Sequence, residues 1–97
     1  MAWDAALTYC ESLTLAGHAD WRLPNRKELR SIVDYAKYNP AIDTSYFPDT
    51  LSSGYWSSTT YADYSYDAWY VHFNHGSDRS YYKSNAYYVR AVRSARF

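Results

Sequence analysis

The chain reads Asp20-Trp21-Arg22-Leu23-Pro24-Asn25-Arg26-Lys27-Glu28-Leu29 where a loop leads into a helix. Pro24 fixes its own φ and favours an extended conformation at Leu23. Asn25 is a preferred N-cap residue, and Glu28, three positions later, can complete a capping box. Apolar side chains then recur at helical spacing, at Leu29, Ile32, Val33 and Ala36. We therefore predict a capped helix over residues 25–36.

An earlier helix is predicted over residues 3–14. Its apolar face consists of Trp3, Ala6, Leu7, Cys10 and Leu13. Asp4 lies in its first turn, where the helix dipole favours a carboxylate. After residue 54 the apolar period changes from the helical spacing to two, which is typical of strands. Two helices followed by a twisted antiparallel β-sheet indicate an α+β domain.

The strand predicted over residues 66–74 alternates between an apolar and a polar set. The apolar set is Trp69, Val71 and Phe73, and the polar set is Tyr70, His72 and Asn74. Because successive side chains of a strand point to opposite faces, we expect the first set in the core and the second at the surface. A turn at residues 75–78 then leads to a hairpin strand over 79–83, and a last strand is expected over 87–93.

The predicted core combines the inner faces of both helices and of the central strand. It contains Trp3, Leu7, Cys10, Leu13, Trp21, Leu29, Ile32, Val33, Trp56, Trp69, Val71 and Phe73. Arg90 and Arg93 lie in the last predicted strand, and we expect one of them to pair with Asp20 or Asp34. The 97 residues suffice for a single domain, residues 1–97.

Charge and hydropathy exclude two classes of partner. Ten basic and ten acidic residues cancel, so the basic excess typical of nucleic-acid binding is missing. No apolar run approaches the roughly 18 residues of a membrane-spanning helix. We expect no nucleic-acid partner and no membrane insertion.

Residues 60–88 are rich in Tyr, Ser, Asn, Asp and His and contain neither Leu nor Ile. Antibody paratopes use such a mixture, because Tyr supplies rigid contact area while Ser and Asn supply adaptable hydrogen bonds. A solvated sheet with Tyr chosen for its β-propensity is the alternative. The predicted ligand-contacting residues are Tyr61, Tyr64, Tyr66, Tyr70, His72, Asn74, His75, Asp78, Arg79, Tyr81 and Tyr82.

No residue pattern predicts catalysis. Cys10, the only cysteine, lies on an apolar helix face, where cysteine usually acts as a small buried hydrophobe. The serines of residues 57–58 have no nearby His or Lys that could activate them. His72 and His75 are joined by no cysteine, and nothing fixes a calcium geometry at Asp63 and Asp67. We predict a protein that is not an enzyme, with no cofactor and no metal site.

Several sequence blocks, in order, resemble the Lcl C-terminal domain-like family of bacterial proteins. These blocks are residues 3–13, 20–35, 40–43, 47–48, 55–59, 68–69 and 88–93. The family's fold is related to C-type lectins and to formylglycine-generating enzymes, so the resemblance implies a C-type-lectin-like domain. It also implies that the family's usual N-terminal strands are missing, and that Cys10 lacks the partner cysteine that many members carry at the position of Ala91.

The resemblance further implies an adhesin-like role in carbohydrate binding and cell adhesion, at the bacterial cell surface or after secretion. The ligand would be a glycan or a protein surface, and homo-oligomer formation stays open. One alternative is a variable binding protein diversified by a bacterial retroelement, because adenine-targeted mutagenesis favours the residue types of the Tyr-rich segment. Another is a structural oligomerisation module whose tyrosines are buried between subunits.

Overall fold

The computed structural model describes residues 1–45 and 47–93. Within these residues, two α-helices precede three β-strands: α1 (Trp3–Ser12), α2 (Arg26–Ser31), β1 (Gly54–Thr60), β2 (Asp67–His72) and β3 (Ser77–Tyr82). The strands form an antiparallel sheet in the order β1-β2-β3. This arrangement confirms the predicted α+β fold. The finer assignment to a C-type-lectin-like fold stays a prediction.

The sheet lies between two apolar layers. On one face, which we call the α1 face, Trp56, Ala68 and Tyr70 pack with Ala6 and Cys10 of α1. On the opposite face, the α2 face, Tyr55, Val71 and Phe73 pack with Leu29 of α2 and with Ile42. The central strand β2 therefore contributes to both layers, which explains why the adjacent residues Tyr70 and Val71 are both buried.

Helix α2 begins as predicted and ends early. Asn25 accepts from the Glu28 N–H at 2.8 Å, and the Glu28 carboxylate accepts from the Asn25 N–H at 2.9 Å, which completes the capping box. The helix ends at Ser31, so the prediction that it continues to residue 36 is wrong. Asp34 is the reason, because its N–H donates to the Ala41 C=O at 2.8 Å and its carboxylate accepts from the Ala36 N–H.

Residues 87–93 were predicted as a continuous strand, and that prediction is wrong. Tyr88 forms a parallel bridge with Tyr55, and Val92 forms an antiparallel bridge with Arg22. The segment still alternates, because Tyr87, Val89 and Ala91 all pack on the α1-face layer. Its pairing is divided between β1 and the loop before α2, so neither ladder grows long enough to count as a strand.

The predicted core is partly confirmed. Cys10, Leu29, Trp56, Val71 and Phe73 are buried. Seven other members of the predicted core are only half-buried: Trp3, Leu7, Leu13, Trp21, Ile32, Val33 and Trp69. Arg93 pairs with Asp20 at 2.7 Å, which confirms the expectation that one of the two arginines pairs with Asp20 or Asp34. No helix within the described residues has the length and hydropathy needed to cross a membrane.

Candidate ligand-binding surface

Nine of the eleven predicted contact residues divide between two recesses beside the β2–β3 hairpin. Residues paired across the two strands share a face, and the register pairs Tyr70 with Arg79 and Ala68 with Tyr81. Arg79 and Tyr81 therefore lie on the α1 face. Their neighbours Ser80 and Tyr82 lie on the α2 face, as expected for alternating side chains.

The first recess, which we call the tyrosine cleft, has a volume of about 380 Å³. It is lined by Tyr64, Tyr66, Asp67, Ser80, Tyr81 and Tyr82. The four tyrosines are exposed, with Tyr66 at 80%, Tyr64 at 65%, Tyr82 at 62% and Tyr81 at 45%. Tyr81 and Tyr82 also contact each other edge to face, with ring centroids 5.3 Å apart. The cleft thus combines aromatic walls and their phenolic hydroxyls with the carboxylate of Asp67 and the hydroxyl of Ser80.

The second recess, the cationic pocket, has a volume of about 190 Å³. Its lining residues are Tyr70, His72, Asn74, His75, Ser77 and Arg79, which include no acidic side chain. The backbone N–H of Asn74 donates to His72 Nδ1 at 3.2 Å. In the neutral imidazole the proton therefore lies on Nε2, which is left as a donor. The Asn74 Oδ1 atom is buried and has no hydrogen-bond partner among residues 1–45 and 47–93.

The expectation that Tyr70 lies at the surface is wrong. Tyr70 is only 7% exposed, and its ring stacks on that of Tyr87 with centroids 4.4 Å apart. The face was expected to be solvated, but α1 and the segment around Tyr87 cover it. Tyr70 lines the floor of the cationic pocket and supports the more exposed His75 and Arg79 around it.

Two further predicted residues lie on the α2 face, outside both recesses. Tyr61 contacts Tyr64 and Trp69, with ring centroids 6.0 and 5.3 Å away. The Asp78 carboxylate pairs with Arg26 and, at 3.7 Å, with Arg30. Tyr61 therefore supports the wall of the tyrosine cleft, while Asp78 ties β3 to α2.

A third recess, which we call the basic groove, was not predicted from the sequence. It has a volume of about 720 Å³ and is lined by Asn25, Arg26, Lys27, Arg30, Ser31, Tyr35 and Thr59. The Arg26 guanidinium lies 3.5 Å from the centroid of the Trp69 ring, a cation–π contact. The spacing of Arg26 and Arg30, one helical turn apart, was the available signal. Nothing in the sequence indicated that Asp78 would lie beside them.

Within residues 1–45 and 47–93, no three His, Cys, Asp or Glu side chains lie close enough together to hold a metal ion. Cys10 is unpaired and buried, and burial followed by the nearby Glu11 raises the pKa of its thiol. A raised pKa keeps the thiol protonated and poorly nucleophilic.

The fold and its surface define a small α+β domain with exposed aromatic recesses on one hairpin. The family model of the Lcl C-terminal domain matches residues 1–93, and the chain therefore belongs to that family. No curated protein matches the chain.

Proposed function

We propose that this domain is a non-catalytic binding module that recognises a glycan or a protein surface through the tyrosine cleft. The observation that carries the proposal is the exposure of Tyr64, Tyr66, Tyr81 and Tyr82 around one concavity. A group of exposed aromatic rings that are not needed for the core favours a contact role.

The chemistry of the cleft suits a ligand with one apolar and one polar side. Tyrosine rings offer flat apolar faces, which can stack on a sugar ring or pack against a protein side chain. Asp67 and Ser80 line the same cleft and can accept or donate hydrogen bonds that orient the ligand. Membership of the Lcl C-terminal domain family and the adhesin-like role implied by the resemblance support the same proposal.

The test uses glycan and protein arrays probed with the purified chain and three variants. Tyr66→Ala and Tyr82→Ala remove exposed rings from the cleft. Tyr38→Ala is the matched control, because Tyr38 is 75% exposed and lies outside the cleft. We expect each cleft variant to weaken binding about tenfold or more, the scale of a hot-spot tyrosine, with an unchanged melting temperature.

An equal loss of binding with Tyr38→Ala would contradict the proposal, as would full binding by both cleft variants. The oligomerisation alternative is checked by light scattering on the same samples. If the cleft is a subunit interface, Tyr66→Ala should shift the assembly to a smaller mass.

A further inference from the structure

Strand β3 is the open edge of the sheet. Among the strands that the structure describes, it pairs only with β2, and beyond its end the Lys83 N–H donates to the Tyr66 C=O at 2.8 Å. Because directly bonded pairs alternate with non-bonded pairs in an antiparallel ladder, Arg79 and Tyr81 turn their backbone groups toward β2. The backbone groups of the alternate residues, Asp78, Ser80 and Tyr82, therefore point outward.

The outward backbone groups of β3 are almost all free. The Tyr82 C=O accepts from the Asn85 N–H at 2.9 Å. Within residues 1–45 and 47–93, no backbone group of another segment pairs with Asp78 or Ser80 along this edge. Such an edge is a template for an additional strand.

The cationic pocket meets this edge on the α1 face and the tyrosine cleft meets it mainly on the α2 face, with Tyr81 of the α1 face also lining the cleft. On the α1 face, Ser77 and Arg79 line the cationic pocket. On the α2 face, Ser80 and Tyr82 line the tyrosine cleft. Side chains of an added strand would alternate between the two faces, so neighbouring residues would meet chemically different recesses.

The cationic pocket selects the chemistry of one side of that strand. Among the described residues Arg79 is in no ion pair, and no Asp or Glu lines the pocket. Asp78, its neighbour in sequence, is held on the other face by Arg26 and Arg30. A carboxylate side chain would therefore be the complementary group for Arg79.

We infer that β3 accepts an extended segment of a partner protein whose side chains alternate between acidic and aromatic or β-branched. The acidic side chains enter the cationic pocket, and the others contact the tyrosine cleft. This inference rests on the proposed function, because the tyrosine cleft forms one side of the docking surface. Of the two ligand classes in the proposed function, the partner would be a protein that binds through an extended strand.

A second copy of β3 is a poorer occupant. Antiparallel pairing of two identical edges keeps like faces together, so both cationic pockets would lie on one side of the joined sheet. Each copy would bring an Arg79 in a pocket that no carboxylate lines. An acidic strand would instead supply the missing negative charge.

The test is a displayed library of peptides of about eight residues, a common strand length, in which acidic and aromatic or β-branched residues alternate. A library with Lys and Arg in the acidic positions is the control. We expect binders only from the acidic library. Their affinity for the full chain is then measured with four variants: Ser80→Pro, Arg79→Gln, Tyr66→Ala and Lys27→Gln.

Ser80→Pro removes an outward N–H, a change that edge strands tolerate, whereas Arg79→Gln removes the unpaired charge. Lys27→Gln is the control, because Lys27 is an exposed cation in the basic groove. We expect the first three variants to weaken peptide binding about tenfold or more, and Lys27→Gln to leave it unchanged. Bound peptide should also slow amide exchange at Asp78 and Ser80, a readout that needs no variant.

Failure to select acidic binders would overturn the inference, as would peptide binding that is unaffected by Ser80→Pro and leaves exchange at Asp78 and Ser80 unchanged. A third outcome is that no peptide binds, while a glycan binds and its binding is abolished by Tyr66→Ala but preserved by Ser80→Pro. That outcome would overturn the inference of a partner strand but support the proposed binding role of the tyrosine cleft. Peptide binding that depends on Ser80 and Arg79 but not on Tyr66 would instead contradict the proposed role of the tyrosine cleft. Self-association that Ser80→Pro abolishes would replace the partner strand by a second copy.

Discussion

Tyr70 and Tyr87 stack with ring centroids 4.4 Å apart and planes inclined by 24°. The pair closes the α1-face layer beside Trp56, whose ring lies 4.9 Å from Tyr87. Tyr70 of this pair also lines the cationic pocket. The stack therefore connects the stability of the sheet to the shape of its candidate binding surface.

Gly54 leaves the space that this stack occupies. A Cβ atom at Gly54 would lie 2.5 Å from Tyr87 Cδ1 and 3.2 Å from Tyr70 Cδ2. We expect Gly54→Ala to displace the Tyr87 ring and lower the free energy of unfolding by about 1–3 kcal/mol, the usual cost of overpacking. Urea denaturation measures the change.

The control for Gly54→Ala is a double-mutant cycle with Tyr87→Ala. Once the Tyr87 ring is gone, the added methyl group should cost much less. The same cost in both backgrounds would contradict the proposed clash.

Tyr87 should make the protein sensitive to alkali. Burial, and then its hydrogen bond with Tyr70, raise the pKa of Tyr87 from 10.0 to about 12. In the unfolded chain this phenol ionises near pH 10, whereas in the folded chain it stays protonated until about pH 12. The stabilisation is therefore complete below pH 10 and is lost as the pH rises toward 12.

Tyr87→Phe is the variant that checks this pH dependence. Its unfolding free energy should fall less steeply between pH 10 and pH 12 than that of the native chain. The phenolate absorbance of the folded protein should also lose one late-titrating step. Parallel curves for the two proteins would show that Tyr87 is not responsible.

The start of α2 could be predicted because its determinants are local. Asn25, Glu28 and Pro24 fix the cap within a few residues of each other. Its end could not be predicted, because it depends on the hydrogen bond from the Asp34 N–H to the Ala41 C=O. No sequence pattern indicates the turn that brings these two residues together. Local patterns indicate how an element begins more reliably than where tertiary contacts stop it.

The faces of β2 show a second limit. Alternation in β2 separated Val71 from Tyr70 correctly, and the observed register keeps them on opposite faces. Alternation alone could not show that α1 and Tyr87 cover the other side, because Tyr suits both a core and a surface. The tyrosine-rich composition of residues 60–88 predicted the tyrosine cleft. The basic groove could not be predicted in the same way, because it depends on the ion pair between Arg26 and Asp78, which are far apart in the sequence.

Cys10 should react slowly with thiol reagents in the native protein. Its side chain is buried between α1 and the α1 face of the sheet, and burial raises the pKa of its thiol. Both effects reduce the fraction of accessible thiolate. We expect labelling at least about tenfold slower than in urea-unfolded protein, limited by opening of the structure. Equal rates for native and unfolded protein would mean that α1 does not pack as described.

Glu28 should make the protein sensitive to acid. The Arg22 guanidinium donates to both of its carboxylate oxygens, at 2.7 and 2.6 Å, and the Asn25 N–H donates to one of them. These bonds, led by that with Arg22, lower the pKa of Glu28 from 4.5 to about 2. The stabilisation is therefore present above about pH 4.5 and is lost as the pH falls toward 2.

Glu28→Gln tests this contribution. The pair is more than one third exposed, so the expected loss at pH 7 is only about 0.5–1 kcal/mol. The difference between the native chain and the variant should shrink as the pH falls from 4.5 to 2, because the native carboxylate becomes neutral in that range. Asp63→Asn, which neutralises an exposed loop carboxylate, is the control. A constant difference down to pH 2 would show that Glu28 acts through shape rather than charge.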